Sequence, residues 1–507
     1  MKKTAFYIII ITIATKIFGL GREVALSYEY GVSYMCDAYL IATTIPTVIF
    51  GFVSAALSAG YIPMFSNILH NKGETEANSF TNNTLNIVMA ICTAICFFGL
   101  IFTSPIVKIF ASGFEGEVLN LTVKFTRISI IAIYFTGITT IFTGYLQVKQ
   151  NYIIPSLISL PLNVLIIISI IISNSTSPLI LPVGFVIATA SQVFTILPFM
   201  IKNNYSYKFI FDINNKDTLK TIYIIVPVLL GISINQLNVL LDQTIASRIC
   251  VGGISALSYA DKITGFTIGI FVLSIVTVLY PNISKMAVEN NINGFKRSLS
   301  EAITGINLFV LPMTLGTIIL AEPIVSLLFG RGAFDSQAIV LTSSVLVFYS
   351  IGMIGFGLRE VIIRAFYALQ DTKTPMINAT IGMGLKVVLN LILPVFLGIS
   401  GLALATSLAA IFTTILLLVS LRKKIGSLGM KKIIISFLKI LAASLLMGIV
   451  VKCSFNFTFI FGQNLSLLIS IFSGAVSYLV VIYFMNIEDV SIAINMVKRK
   501  LGTVQLK

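Results

Sequence analysis

Three ionisable residues stand where charge is costly. Lys16, Arg22 and Glu23 lie within or at the end of the first long apolar segment, in the stretch KIFGLGREVALSYEYGVSYMCD that ends at Asp37. An ionisable side chain at mid-bilayer costs roughly 2.5–3.5 kcal/mol on insertion scales, so it normally faces a bundle interior or a watery cavity and marks a ligand path. Gly19 and Gly21, flanking Leu20 just before Arg22, let a membrane helix loosen where it lines a cavity. The chemistry on offer is recognition of charge.

Further along, Gly231, Asn235, Asn238 and Asp242 recur at spacings of four, three and four, which stacks them on one helix face. The stripe suits either hydrogen bonding between helices, at about 0.6 kcal/mol per bond, or a cation-binding face. Asp261 and Lys262 are adjacent in YADKITGF, readable as an interfacial pair that snorkels to the headgroups or as part of a cavity wall. Glu360 and Arg364 have the i, i+4 order of an ion pair, and Arg359 points to another face. Lys386 lies in IGMGLKVVLNLILP with no acid nearby in sequence. Burial alone would favour its neutral form, so a carboxylate on another helix, with Asp242 a candidate, or an anionic ligand is expected to hold its charge. Lys16, Arg22, Lys262, Arg359 and Lys386 outnumber Glu23, Asp242 and Asp261. A wet, cation-lined cavity suits an anionic, phosphorylated substrate.

The elements that position these residues are membrane helices. The chain has 507 residues, 57% hydrophobic and 10% charged, with mean hydropathy +1.00, whereas a soluble globular chain carries about a quarter charged residues. Apolar runs long enough to cross a roughly 30 Å core recur from end to end, about fourteen in all. The segment after Met1-Lys2-Lys3 imitates a secretory signal but has no A-x-A-like cleavage site, and is expected to be a retained first helix. The formal charge of +15 is spread over alternate loops, which is a topology signal and argues against nucleic-acid binding. Cations gather at Lys2, Lys3, Lys72, Lys149, Lys202 to Lys220, Lys285 to Arg297, Arg364, Lys373, Arg422 to Lys432 and Lys498 to Lys507; the intervening loops hold few. Both termini are therefore expected in the cytoplasm. The basic stretch Leu421 to Lys432 is expected to meet anionic membrane lipids.

The chain also repeats itself. GVSYMCDA from Gly31 is echoed by GISALSYA from Gly253, Pro63-x-x-Ser66 by Pro281-x-x-Ser284, and PIVKIFASGF from Pro105 by PIVSLLFGRGAF from Pro323. Tyr145-Leu146-Gln147 before Pro155 likewise matches Tyr367 to Gln370 before Pro375, and the offsets stay at about 218–222 residues. Six helices per repeat give two lobes related by a pseudo-two-fold axis along the membrane normal. The expected organisation is an all-α polytopic protein, with an N-lobe over 1–215, a C-lobe over 216–425, and a final helix pair with a basic tail over 426–507.

These residues resemble the MurJ/MviN family of the multidrug/oligosaccharidyl-lipid/polysaccharide exporter superfamily. The resemblance is carried by KIFGLGREVA, CDAYLIATTIP, Ser255 to Lys262, LYPNIS at 279–284, LFGRGAFD at 328–335 and FYALQDTKTP at 366–375. It implies a lipid II flippase: two lobes around a cation-lined cavity that exchange inward- and outward-open states, with the last helix pair forming a groove for the polyprenyl tail. By position, Lys16, Arg22, Glu23 and Lys262 fall where the family has essential charged cavity residues, and Asp37 matches an acid beyond the first helix. Lys16 and Lys262 replace arginine, Glu23 replaces aspartate, and Phe50 and Ala55 stand where many members carry arginine and glutamate. Asp242 resembles a sodium ligand of some members; Lys386 is expected to supply a tethered cation in that region, so coupling to sodium or to the membrane potential is open.

The expected function is export, by a monomer in the bacterial cytoplasmic membrane, of a polyprenyl-pyrophosphate-linked peptidoglycan precursor without covalent chemistry. Another polyprenyl-linked glycan fits the same fold. A cation-coupled drug antiporter would favour an acidic cavity. A membrane enzyme would need a catalytic carboxylate pair, histidine or metal ligands, whereas the one histidine, His70, is expected in a solvated loop and the five cysteines as small buried hydrophobes without metal spacing.

Overall fold

The computed structural model describes residues 2–485; within that range the side chains at 2–6, 9, 56, 216, 222, 224–235 and 278 are not described. The basic tail and the charges of Lys2 and Lys3 thus lie outside the described residues. The chain opens with α1 (Lys2–Tyr30), α2 (Tyr34–Lys72), α3 (Glu74–Ile101), α4 (Thr103–Phe110), α5 (Gly116–Ser129) and α6 (Ala132–Val148). Next come α7 (Ile153–Leu157), α8 (Ser159–Ser175), α9 (Ile180–Lys202) and α10 (Lys216–Ile249). The second part holds α11 (Gly253–Val288), α12 (Ile292–Ile319), α13 (Ala321–Phe329), α14 (Ser336–Ala368), α15 (Lys373–Leu397) and α16 (Ile399–Ile425). The last two are α17 (Met430–Thr458) and α18 (Gln463–Phe484). No strand occurs among the described residues.

Among the described residues, eleven helices are long and apolar enough to cross a membrane, or twelve if α5 and α6, bent by 40°, form one span. At 29 and 34 residues, α1 and α10 also have the length to span. The fold is all-α and polytopic, as composition demands.

The repeat reappears as matched turns at an offset of 220 residues. Gln150 and Gln370 both adopt a left-handed conformation, φ 60° and 57°. Each is followed by an N–H that reaches back five residues, Asn151 to Leu146 O and Asp371 to Phe366 O. Those two residues then cap the next helix: Asn151 Oδ1 accepts from Ile154 N, and Asp371 Oδ1 from Thr374 N. Lys424 Nζ also bonds Asp371 Oδ2 at 2.6 Å and holds that carboxyl well below the usual range, at about 2. Phe114 N bonds Ala111 O as Phe334 N bonds Arg331 O. At the level of elements, α3 with α4 corresponds to α12 with α13, and α3 and α12 are each 28 residues long.

Packing divides the chain into two compact units, Met1–Ser255 with Arg331–Asp335, and Ala256–Gly330 with Ser336–Lys507. This division differs from the repeat boundary at 215/216, because α10 packs on α2 and on the α4–α5 turn. Gln243 Nε2 donates to Thr44 Oγ1, Thr244 Oγ1 to Ile109 O, and Arg248 Nε to Ser112 Oγ at 2.6 Å. The first unit's core is built on Phe50, Tyr61, Phe65, Phe142 and Tyr145. Phe50, where the family resemblance implied an arginine, is thus core. The second unit has one core around Val272, Phe295, Ile306 and Phe366 and another beneath α17 and α18 around Leu311, Ile440 and Tyr478.

Two expectations need correction. His70 sits in the last turn of α2, exposed, with Nδ1 3.2 Å from Asn71 Oδ1, so it is solvated but helical. Cys36, Cys92 and Cys96 are buried and Cys250 is partly so, but Cys453 is exposed; on the apolar spanning helix α17 a thiol can face lipid as a small hydrophobe.

Candidate functional site

In the first unit Lys16, Arg22 and Glu23 of α1 divide into a pair and a lone cation. Arg22 Nη2 donates to Glu23 Oε1 at 2.6 Å, and the two side chains are 29% and 4% exposed. Glu23 is therefore placed to orient Arg22. Its buried carboxylate holds one edge of the guanidinium, while the other N–H groups, five donors in a planar fork overall, stay partly open. Neighbours in helix sequence do not normally face each other, and the pair forms because the arginine side chain is long enough to fold back. Lys16 is exposed and makes no hydrogen bond or ion pair among the described residues.

Asp37, expected beside the substrate, has another duty. It is 1% exposed, and its two oxygens accept from Gly252 N and Ser255 N at 2.8 Å each. A carboxylate there satisfies donors that the N-terminus of α11 leaves unpaired and complements its dipole. In this structure it is not open to a ligand.

On α10, Asn238 Oδ1 is buried with no hydrogen-bond partner among the described residues, while Asp242 is half-buried and has an interaction partner. The side chain of Asn235 lies outside the described residues. A small cavity of about 220 Å³ opens between α2 and α6, lined by Ser54, Ser58, Tyr61, Thr139, Thr143 and Gln147 among others. It is hydroxyl-rich and uncharged, and holds none of the charged or amide residues expected to bind cargo or cation.

In the second unit, Lys262 lies 3.8 Å from Asp261 with both side chains exposed, 46% and 62%. That contact is loose and worth at most about 1 kcal/mol, which leaves the ammonium available. Arg359 is half-buried with its guanidinium 5.3 Å from the Phe356 ring centroid. The expected Glu360–Arg364 pair does not form. Arg364 instead lies over Tyr280 of α11 at 5.8 Å, its Nε buried without a hydrogen bond. An aromatic face offered by a neighbouring helix wins over the i, i+4 carboxylate.

Lys386 is buried and has an interaction partner. It belongs to a stripe that sequence reading overlooked: Asn378, Gly382, Lys386 and Asn390, each four residues on and each buried, of which the first two meet α16. Asn378 Nδ2 donates to Ser420 Oγ at 3.1 Å, and a Cβ at Gly382 would clash with Thr413 Oγ1. The glycine lets α15 and α16 approach, in the small-residue manner of membrane helices.

Paired membrane-helix repeats with arginine and lysine inside long helices suit a charged ligand, and comparison with known proteins identifies the family. A family model described as "Lipid II flippase MurJ" matches residues 26–472. The chain belongs to the MurJ family. It is 30% identical over 474 residues to the lipid II flippase MurJ of Thermosipho africanus, covering 93% of this chain and 94% of that one. Against the probable lipid II flippase MurJ of Buchnera aphidicola subsp. Baizongia pistaciae, identity is 30% over 415 residues, with coverages of 80% and 81%. A solved structure of lipid II flippase MurJ in an inward closed conformation superposes with TM-score 0.82 at 28% identity, over 94% of this chain and 98% of that one. An inward-facing multidrug resistance MATE family transporter of the MOP superfamily superposes with TM-score 0.70 at 14% identity, over 84% and 98%. That likeness shows a shared fold alone. The chain is a multi-pass bacterial inner-membrane protein of a transporter family.

Proposed function

We propose that this chain flips lipid II, the undecaprenyl-pyrophosphate-linked peptidoglycan precursor, from the inner to the outer leaflet by alternating access. The observation that carries the reading is the Arg22–Glu23 pair on α1, a helix of 29 residues and so long enough to span: a forked cation held by a buried acid. Such a group costs too much in a membrane to be kept for packing, and it suits a pyrophosphate, whose oxygens match the guanidinium fork. Lys16 on the same helix is a further cation able to take part, and within the second unit Lys262 and Arg359 are cations of the same kind. No covalent step is needed. Cation placement along the sequence supports cytoplasmic termini, and the two repeat halves within one chain support a monomer as the transporting unit. When the protein is depleted from a host without a redundant flippase, lipid II accessible to an external label should fall; normal surface labelling would sink the reading. Loss of a different polyprenyl-linked glycan from the surface would move it to that cargo.

We further propose that Lys386 supplies a fixed positive charge in the second unit, in place of a bound sodium ion. The support is its burial in an amide- and hydroxyl-rich stripe against α16. Lys386→Ala should either make export dependent on sodium or abolish it, measured by surface lipid II labelling with and without sodium. Unaltered, sodium-independent export in that variant would count against the tethered cation.

A further inference from the structure

Between α9 and α10 the chain runs as an extended strap, residues 203–215, held by a ladder of asparagine side chains from the first half of α3. Asn78 Nδ2 donates to Asn204 O, Asn82 Nδ2 to Ser206 O, and Asn86 Nδ2 to Ile210 O, at 2.8 to 3.0 Å. Asn83 closes a two-way pair with Asp212, donating to its carbonyl at 2.7 Å and accepting from its N–H at 2.6 Å. Tyr205 and Tyr207 return the bonds through their hydroxyls to Asn82 Oδ1 and Asn86 Oδ1. One edge of the strap is thereby fixed. Its N–H groups from Ser206 to Phe211 donate to no protein acceptor among the described residues.

The outer side is apolar and basic together. Phe209 is 78% exposed, and Tyr207, Phe211 and Ile213 are exposed beside it. Lys202, Lys208 and Lys220 are exposed and make no ion pair among the described residues. Of the nearby acids, the Asp212 carboxylate accepts from Asn214 N, Asp217 is paired with Lys72 at 2.6 Å, Glu74 is paired with Lys149, and Glu76 is exposed at the start of α3.

Depth follows from α3. Its 28 residues span about 42 Å at 1.5 Å per residue, while a hydrocarbon core of roughly 30 Å takes about 20. About eight residues of α3 therefore stand in the polar layer, at the end carrying Glu74, and the ladder straddles that boundary. Unpaired backbone N–H groups exclude the strap from hydrocarbon, and exposed phenylalanines disfavour bulk water. The headgroup layer satisfies both.

We propose that the strap is a docking surface for acidic phospholipid headgroups. Phe209 and Phe211 reach the acyl boundary, Lys202, Lys208 and Lys220 lie on headgroup phosphates, and the free N–H groups donate to phosphate oxygens. The asparagine ladder keeps the edge rigid, so little ordering cost is left to binding.

The chain contains no tryptophan, so Phe209→Trp introduces a single tryptophan, excited selectively over the tyrosines, at an exposed position. The full-length variant would be reconstituted in phosphatidylcholine vesicles with and without phosphatidylglycerol, with doxyl quenchers placed near the headgroup or at the acyl terminus. A blue-shifted emission is expected, quenched most by the shallow label, little by acrylamide on both sides of the bilayer, and more strongly with phosphatidylglycerol. Adding Lys202→Glu and Lys208→Glu should remove the dependence on phosphatidylglycerol. An unchanged melting temperature in each variant, and the same pattern from Phe211→Trp, tie the signal to the native strap. Quenching by acrylamide alone would overturn the proposal and leave the patch to a soluble protein partner. Lipid quenching that ignores both phosphatidylglycerol and the lysine substitutions would overturn the acidic-headgroup assignment.

Discussion

Arg22→Ala should lower externally labelled lipid II by about thirtyfold or more relative to the parent chain, and lower the melting temperature as well. The export loss follows from the guanidinium, since a hydrogen bond to a charged group contributes about 1.5–3 kcal/mol; the melting temperature falls because the Glu23 carboxylate, only 4% exposed, is left without its partner. Two further variants separate stability from recognition. In Arg22→Ala with Glu23→Ala no buried acid is stranded, so the melting temperature should recover while export stays low. Arg22→Lys keeps a point charge but loses the fork, so export should be intermediate. Export at the parent level in the double variant would mean that the guanidinium does not touch the cargo, and the anion site would have to be sought elsewhere.

Most of the architecture was legible because membrane insertion imposes few solutions. Backbone polar groups must be satisfied within the segment, so long apolar runs read as helices. The repeat was legible as echoed motifs at a near-constant offset, but motif matching sets Gln147 against Gln370, whereas the equivalent left-handed turns fall at Gln150 and Gln370. Partners of individual side chains were harder to read. Spacing predicted Glu360–Arg364 and missed Arg22–Glu23, since helix spacing states which residues lie on one face and not which neighbouring ring or carboxylate is offered from outside. Arg364 has Tyr280 across from it. The asparagine ladder was visible as Asn78, Asn82 and Asn86 at spacings of four, yet amides carry no charge and drew no notice. Its partners are carbonyls of an irregular segment, which sequence periodicity does not describe.

Asp37 shows how a residue matched by position can owe its place to the backbone, and its variants should give the second largest effect. Asp37→Ala leaves the N–H groups of Gly252 and Ser255 buried without acceptors, at about 1–3 kcal/mol each, and removes a charge from a helix N-terminus, where one contributes up to about 2 kcal/mol in partly buried geometries. The melting temperature should fall steeply. Asp37→Asn keeps one carbonyl acceptor but turns an NH₂ group towards a second donor, so it should melt between the alanine variant and the parent. Local relief by a small side chain at Gly252 is closed off, because its φ of +79° and the nearby Val32 disfavour any Cβ. Export should track the melting temperature across this series, since the carboxylate acts by joining the start of α2 to the start of α11. An alanine variant that melts like the parent and still fails to export would reverse the assignment: Asp37 would then meet the cargo in another state of the cycle, and the helix cap would be incidental.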